Sequence, residues 1–216
     1  MVETIESEVS YTFDYTGVAK LSEPVVQALR EVPRHEFVRP GLQAFAYDNS
    51  PLYIGRGQTI SQPYIVAIMT ELIAPKPEHR VLDIGTGSGY QAAILAKLVK
   101  HVYSVEIIDE LANEAIERFK TLSLQNIDVK IGDGNLGWAE QAPYDGIVVA
   151  ATTPSIPMAL IDQLKPGGKM IIPVGHATLS QELVLIEKNQ QGVISSRNIL
   201  PVAFVPLVGE QVATKE

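Results

Sequence analysis

The 216-residue chain contains no cysteine, and this absence removes three kinds of chemistry at once. Without cysteine there are no disulfide bonds, no zinc sites built from thiolates and no thiol nucleophile. Basic residues are also scarce, with 17 Lys and Arg against 25 Asp and Glu and a formal net charge of −8. Because binding to a nucleic-acid backbone needs a basic face, this charge argues against nucleic acid as the main partner.

Long apolar stretches are absent as well. No run approaches the roughly 18 apolar residues of a membrane-spanning helix, and the N-terminus lacks the pattern of a secretory signal. The length suits one domain with a sizeable core. We therefore expect a single domain over residues 1–216, monomeric, cytoplasmic and without a membrane partner. Residues 1–19 are polar and show no clear period, so a loosely held N-terminal segment is expected there.

The residues that are present are organised around a glycine-rich turn at 85–89. Residues 81–84 resemble a buried strand, and residues 91–98 form a helix-favouring run with apolar positions at 94, 95 and 98. A strand, a glycine turn and a helix aim backbone N–H groups and the positive end of a helix at a ligand. This order predicts a binding site for a small, polar, nucleotide-like molecule.

Details of the turn discriminate between nucleotides. No lysine follows the glycines, as a phosphate-binding P-loop requires, and Tyr90 stands where the G-x-G-x-x-G dinucleotide motif needs a small residue. The G-x-G-x-G spacing, with Asp83 just ahead of it, instead suits a ligand that carries an ammonium and a carboxylate group. The turn therefore favours S-adenosylmethionine (SAM), and an NAD-dependent oxidoreductase is the weakest candidate.

Three predicted strands each deliver an acidic residue to one edge of the sheet. Asp83 ends the first, and Glu106 ends the second, 21 residues after Gly85 (106 − 85), where a carboxylate can accept hydrogen bonds from both ribose hydroxyls. The third strand, at 127–131, leads to Asp133, which can accept from an adenine amino group. These acids predict a single adenosyl-binding site.

The remaining pattern alternates strands with helices. Further strands are predicted at 144–150, 169–174, 183–186 and 199–205, the last two as antiparallel additions, and helices at 22–30, 64–73, 110–120 and 156–164. This alternation predicts an α/β fold with a doubly wound, mostly parallel sheet. Ligands of such sheets bind outside the carboxyl ends of the strands.

Two polar residues have both a structural and a functional interpretation. Ser61 precedes the predicted helix at 64–73, so its hydroxyl can cap that helix, and a hydroxyl at a helix N-terminus can also meet a substrate carboxylate. The sequence leaves both interpretations open. His35 lacks a second histidine or an acid at useful spacing, so we interpret it as structural.

Several segments together resemble bacterial protein-L-isoaspartate O-methyltransferases. They are residues 32–38, 51–57, 58–64, 81–90, 132–134, 142–145 and 204–207. The resemblance covers residues 15–209, and its Thr-Ile-Ser-Gln-Pro element at 59–63 is specific to this family rather than to SAM enzymes in general. It implies a Rossmann-like SAM-dependent methyltransferase fold.

The resemblance also implies an activity and a set of site residues. SAM would methylate the free carboxylate of L-isoaspartyl residues in damaged peptides and proteins, and the ester would then collapse to a succinimide that reopens partly to aspartate. No metal is implied. Ser61 would be the active-site hydroxyl, and Thr59, Ile60, Val205, Pro206 and Leu207 would frame the substrate. The cofactor-binding residues would be Asp83, Gly85, Gly87, Gly89, Glu106, Ile107, Asp133 and Gly134.

Departures from the family pattern lie on the substrate side, at Asn135, residues 150–153 and Ala203. Two other functions therefore stay open. A SAM-dependent methyltransferase of small carboxylates would turn over a free dicarboxylate as well as an isoaspartyl peptide. A SAM-binding protein without catalysis would bind the cofactor and methylate no peptide.

Overall fold

The computed structural model describes residues 1–176 and 180–209, and its strands form two sheets. The strands are β1 (Leu52–Gly55), β2 (Gln58–Ile60), β3 (Arg80–Ile84), β4 (His101–Glu106), β5 (Ile127–Ile131), β6 (Tyr144–Val149), β7 (Leu164–Gly175), β8 (Gln181–Lys188) and β9 (Ile194–Val202). The large sheet has the order β5-β4-β3-β6-β7-β8-β9, and β1 pairs with β2 in a separate antiparallel hairpin. Pairs from β5 to β7 are parallel, and β8 and β9 are antiparallel additions. The predicted sheet is confirmed.

Helices connect the parallel strands and cover the sheet. They are α1 (Val2–Tyr11), α2 (Phe13–Thr16), α3 (Glu23–Glu31), α4 (Pro63–Leu72), α5 (Tyr90–Ala96), α6 (Asp109–Thr121) and α7 (Met158–Gln163). Shorter 3-10 helices occupy Arg34–Phe37, Pro40–Phe45, Gly134–Leu136 and Ala139–Gln141. Among residues 1–176 and 180–209, no helix has the length and apolar character needed to cross a membrane.

The core lies on both faces of the central strands. β6 lies between β3 and β7, and its residues Ile147, Val148 and Val149 are all fully buried. Because side chains alternate along a strand, Val148 packs with one hydrophobic cluster while its two neighbours pack with the other. A continuous apolar run is typical of a parallel strand covered on both sides, and β6 has this central position.

The N-terminal segment is not loosely held, contrary to the expectation for residues 1–19. Ile5 and Val9 of α1 are fully buried in the larger hydrophobic cluster. The hydroxyls of Thr12 and Tyr64 lie 2.7 Å apart, which connects the end of α1 to α4. A short helix needs only one narrow apolar stripe to pack, and two apolar residues four positions apart were too weak a pattern to reveal it.

The predicted helices are present, but they begin one or two residues away from the predicted starts. The N-cap of α4 is Gln62, so Ser61 lies one residue outside the helix and its predicted capping role is wrong. Ser22 is the N-cap residue of α3, and its hydroxyl donates to Glu71 (2.9 Å) instead of making a cap hydrogen bond. The helix α6 begins at Asp109, one residue before the predicted start at 110.

Candidate active site

A pocket opens at the carboxyl ends of β3, β4 and β6, where the strand order reverses. The chain runs outward from β3 through β4 to β5 and then crosses to β6 on the other side of β3. Such a switch point is the usual ligand position in doubly wound sheets. The pocket has an empty volume of about 730 Å³ including its open mouth. Most of the predicted site residues line it, namely Thr59, Ile60, Ser61, Gly85, Gly87, Glu106, Ile107, Gly134, Val205, Pro206 and Leu207.

The glycine turn after β3 forms the floor of this pocket. Gly85 donates its N–H to the carbonyl of Val105 (2.9 Å), which anchors the turn to β4. Gly89 has φ +88°, and a Cβ built there would stand 2.6 Å from the ring of Phe119 in α6. Only glycine satisfies both the conformation and the close approach. Gly89 therefore lies against α6, and it is not among the residues that line the pocket.

Glu106 at the end of β4 presents a fixed carboxylate to the pocket. Its Oε2 accepts from the N–H of Gly87 (2.8 Å), and its Oε1 accepts from Ile107 and Ile108 (3.0 Å each). Burial raises the pKa of Glu106, while these three backbone hydrogen bonds lower it. Of the described residues that line the pocket, Glu106 is the only one with a charged side chain.

Asp83 lies beneath the turn rather than in the pocket. It is fully buried, its Oδ2 accepts from the Ser104 hydroxyl (2.6 Å), and that hydroxyl is 2.6 Å from Oγ1 of Thr86. Its Oδ1 has no partner among the residues described. Burial raises the pKa of Asp83 from 3.8 to about 7, the Ser104 hydrogen bond lowers it, and the nearby charge of Glu106 raises it further.

Asp83 is expected to make the stability of the protein depend on pH. Because its pKa is higher in the folded chain than in the unfolded one, the folded state binds more protons between pH 3.8 and about 7. The free energy of unfolding therefore falls as the pH rises through this window. One pKa unit corresponds to about 1.4 kcal/mol, so the fall is at most about 4 kcal/mol.

The Asp83→Asn variant removes this titration and should gain stability relative to the wild type as the pH rises from about 4 to about 7, with little change above. Urea unfolding of both proteins at several pH values measures the difference. Glu3→Gln, which removes an exposed carboxylate from α1, is the control and should follow the wild type. Parallel curves for Asp83→Asn and the wild type would contradict the raised pKa.

The third predicted acid, Asp133, also lies outside the pocket lining. It follows β5, and its Oδ1 accepts from the backbone N–H and the side-chain amide of Asn135, both at 2.8 Å. Its neighbour Gly134 does line the pocket, and a Cβ there would stand 2.6 Å from Ile84 and 3.0 Å from Leu207. Of the three predicted acids, only Glu106 faces the pocket directly.

Ser61 directly follows β2 of the β1–β2 hairpin and lines the pocket. Its carbonyl accepts a hydrogen bond from Nη2 of Arg34 (2.7 Å), whose Nε donates to the carbonyl of Ala46 (2.9 Å). Arg34 is fully buried, and its guanidinium lies 4.7 Å from the ring centre of Tyr90. The Ser61 hydroxyl makes no hydrogen bond to any other residue that the structure describes, so it is free to bind a ligand.

Burial lowers the pKa of Arg34 to about 10 and raises the pKa of Tyr90 to about 12. Arg34 was not selected from the sequence, because an arginine in a polar-looking segment gives no sign of burial. The only signal was the family resemblance of residues 32–38. Its neighbour His35 lies outside the pocket, with Nδ1 2.6 Å from the hydroxyl of Tyr47.

Residues 205–208, which follow β9, also line the pocket. The N–H of Thr152 donates to the carbonyl of Val205 (2.9 Å), and the N–H of Leu207 donates to the carbonyl of Thr152 (2.8 Å). This pairing explains why residues so distant in sequence meet. Further lining residues were not selected from the sequence, although several lie at predicted strand ends. They are Gln58, Val66, Thr86, Ser88, Tyr90, Gln91, Val105, Ile108, Ala150, Ala151 and Val208.

The doubly wound sheet, with a pocket at its switch point that is lined by one acid and no cation in the described chain, is a Rossmann-like fold, and similar solved structures show that it is of the SAM-dependent methyltransferase class. Residues 10–212 match the family model described as Protein-L-isoaspartate(D-aspartate) O-methyltransferase (PCMT). The chain belongs to this family, and the resemblance predicted from its motifs is confirmed.

Relatives match over nearly the whole chain. Protein-L-isoaspartate O-methyltransferase 2 of Syntrophobacter fumaroxidans is 56% identical, over 97% of this chain and 85% of the relative. The protein of the same name from Polaromonas sp. is 53% identical, over 98% and 100%. A solved protein-L-isoaspartate O-methyltransferase superimposes with a TM-score of 0.81 at 27% identity, over 97% of this chain and 66% of that one.

A second solved structure is also similar to this chain. It is a protein from Plasmodium falciparum, assigned as a protein-L-isoaspartate O-methyltransferase and crystallised in complex with S-adenosyl-L-homocysteine (SAH). The TM-score is 0.76 at 26% identity, over 94% of this chain and 98% of that one.

Proposed function

We propose that this chain transfers the methyl group of SAM to the free carboxylate of L-isoaspartyl residues in damaged proteins, the reaction after which its family is named. One observation carries the proposal. A single pocket brings the glycine turn and Glu106 together with Ser61 and residues 205–207. The residues proposed to bind the cofactor and those proposed to bind the substrate therefore line one space.

The chemistry of the lining suits SAM. Glu106 is the only charged residue among the described lining residues, so a cationic sulfonium meets no like charge, whereas a pyrophosphate would meet no counter-charge. A carboxylate offers about four acceptor positions, and the three backbone N–H groups leave Glu106 capacity for about one ribose hydroxyl. Gly85, Gly87, Ile107 and Gly134 would surround the same cofactor. SAM, when bound, supplies an electrophilic methyl group.

We propose supporting roles for the three predicted cofactor residues outside the lining. Asp83, through Ser104 and Thr86, would hold the glycine turn in place, and Gly89 would let the turn pack against α6. Asp133 would order the loop that presents Gly134.

The substrate side needs few groups because the nucleophile is already charged. A carboxylate is ionised at neutral pH and requires no general base. What the protein must provide is removal of water and alignment with the methyl group, an effect of proximity and orientation. The Ser61 hydroxyl can donate one hydrogen bond that orients the carboxylate without neutralising it. Thr59, Ile60 and residues 205–207 would flank the peptide on either side.

Radiolabelled methyl transfer from SAM to paired peptides tests the proposal. The two peptides should have the same sequence and differ only in isoaspartyl or normal aspartyl linkage. We expect label in the isoaspartyl peptide alone. Equal labelling of a free dicarboxylate would instead favour a small-carboxylate methyltransferase, and SAM binding without labelling of any peptide would favour a binding protein without catalysis.

We further propose that the chain acts as a single domain and a monomer in the cytoplasm, with neither nucleic acid nor membrane as partner. The formal charge of −8 supports the absence of a nucleic-acid partner, because phosphate binding needs a basic surface. Light scattering of the purified protein would measure its mass in solution, and a dimer mass would contradict this proposal.

A further inference from the structure

A second pocket adjoins the active-site pocket. The two pockets share Thr59, Ser61, Ala150 and Val205 as lining residues. A peptide bound at Ser61 can therefore continue from one pocket into the other. We call the second one the flank pocket. Its remaining walls come from the end of α1, Pro51, the start of α4 and residues 200–204, which are the end of β9 and the two residues after it.

The flank pocket has one charged side chain among the residues that the structure describes. Glu8 of α1 is the only residue with a charged side chain among its described lining residues, the others being apolar or neutral. The side-chain amides of Asn49 and Gln62 donate to the Glu8 carboxylate, and both donors are neutral. No ion pair within the described ranges includes Glu8. Its negative charge is therefore held in a defined place and is not paired with a cation from the described ranges.

The neighbours of Glu8 connect it to the substrate wall. Gln62, one of its hydrogen-bond donors, directly follows Ser61 in sequence and also lines the flank pocket. Burial raises the pKa of Tyr64, its hydrogen bond with Thr12 lowers it, and the charge of Glu8 raises it further, which is consistent with a negative potential in this pocket.

We propose that the flank pocket receives a residue next to the isoaspartate and that Glu8 selects a cationic side chain, Lys or Arg, at that position. The inference rests on the proposed function and adds a sequence preference to it. A charge on the rim of a binding site favours the opposite sign and disfavours its own. Because this contact lies away from the reacting atoms, it contributes equally to the bound substrate and the transition state and changes KM rather than kcat.

Measuring KM for peptides that carry opposite charges next to the isoaspartate tests the proposal. Isoaspartyl peptides with an otherwise neutral sequence would carry Lys, Gln or Glu at each of two positions on either side of the isoaspartate. At one of these positions, we expect the KM of the Lys peptide to be about fivefold or more below that of the Glu peptide at low ionic strength. The difference should shrink in high salt.

Two substitutions at Glu8 separate its charge from its packing. Glu8→Gln keeps an acceptor for Asn49 and should abolish the preference, and Glu8→Lys should invert it. Glu6, exposed on the same helix, provides the matched control, since Glu6→Gln removes an equal charge and should leave the preference intact. SAM affinity and the unfolding midpoint should be unchanged in Glu8→Gln, which shows that the folded enzyme is being compared.

The failures of the two proposals are distinguishable. If the wild type methylates isoaspartyl peptides without a charge preference, or if Glu8→Gln keeps the preference, the flank-pocket proposal is overturned and the proposed function stands. An equal loss of preference in Glu6→Gln would also overturn it, because the net negative charge of the protein, and not Glu8 itself, would then cause the preference. If no isoaspartyl peptide is methylated, both proposals fail together.

Discussion

The Glu106→Gln variant is expected to bind SAM at least about tenfold more weakly than the wild type. A hydrogen bond to a charged group contributes about 1.5–3 kcal/mol, and about 1.4 kcal/mol corresponds to a factor of ten in affinity. Glutamine has one acceptor oxygen in place of two, so its amide group would face a backbone N–H of Gly87 or of Ile107 and Ile108. The variant loses both the ribose acceptor and the fixed geometry. Isothermal titration calorimetry measures the change.

Comparing the affinities for SAM and SAH distinguishes a direct hydrogen bond of Glu106 to the ribose from a long-range attraction between Glu106 and the sulfonium charge. The ribose is common to both ligands, whereas only SAM carries the sulfonium charge, so a direct ribose contact predicts the same loss for each. The exposed Asp109→Asn, three residues further along, removes a carboxylate from the same region and should bind both ligands like the wild type. Unchanged affinity in Glu106→Gln would show that Glu106 does not hold the cofactor.

Periodicity and turn chemistry were enough to predict the large sheet. The buried strand at β6 and the glycine turn after β3 both have local signals, namely a continuous apolar run and closely spaced glycines. The polar helix α1 has no such signal, because its stability comes from burying Ile5 and Val9 against residues far along the chain. The start of β9 at Ile194, five residues before the predicted one, follows from pairing with β8 rather than from its exposed sequence.

Apart from the family resemblance, the sequence patterns predicted the candidate site only where a residue lies at a strand end. Glu106 follows directly from the strand–acid pattern, whereas Gly134 was predicted only through the family resemblance. Asp83 fits the same pattern but is turned toward Ser104 beneath the turn, a choice that depends on side-chain packing. The burial of Arg34 depends on the carbonyls of Ser61 and Ala46. Contacts of this kind are tertiary, and the periodicity of a single sequence does not reveal them.

The Ser61→Ala variant is expected to lose about tenfold to a hundredfold in kcat/KM for isoaspartyl peptides while binding SAM normally. The loss corresponds to one hydrogen bond to a charged acceptor, about 1.5–3 kcal/mol. Because Ser61 lies outside α4 and its hydroxyl has no protein partner within the described residues, the substitution should leave the unfolding midpoint unchanged. Methyl-transfer assays at saturating SAM, with calorimetry and thermal unfolding beside them, measure the three quantities.

A role for the hydroxyl itself can be separated from a role for the backbone at this position. Arg34 contacts the carbonyl of Ser61, and this contact remains in Ser61→Ala, so the wall of the pocket keeps its shape. Ser61→Cys retains a side chain of similar size with a weak donor and should recover little activity. Turnover at the wild-type rate in Ser61→Ala would mean that the hydroxyl does not orient the substrate. In that case the backbone held by Arg34, and not the side chain, would be the part of this segment that positions the carboxylate.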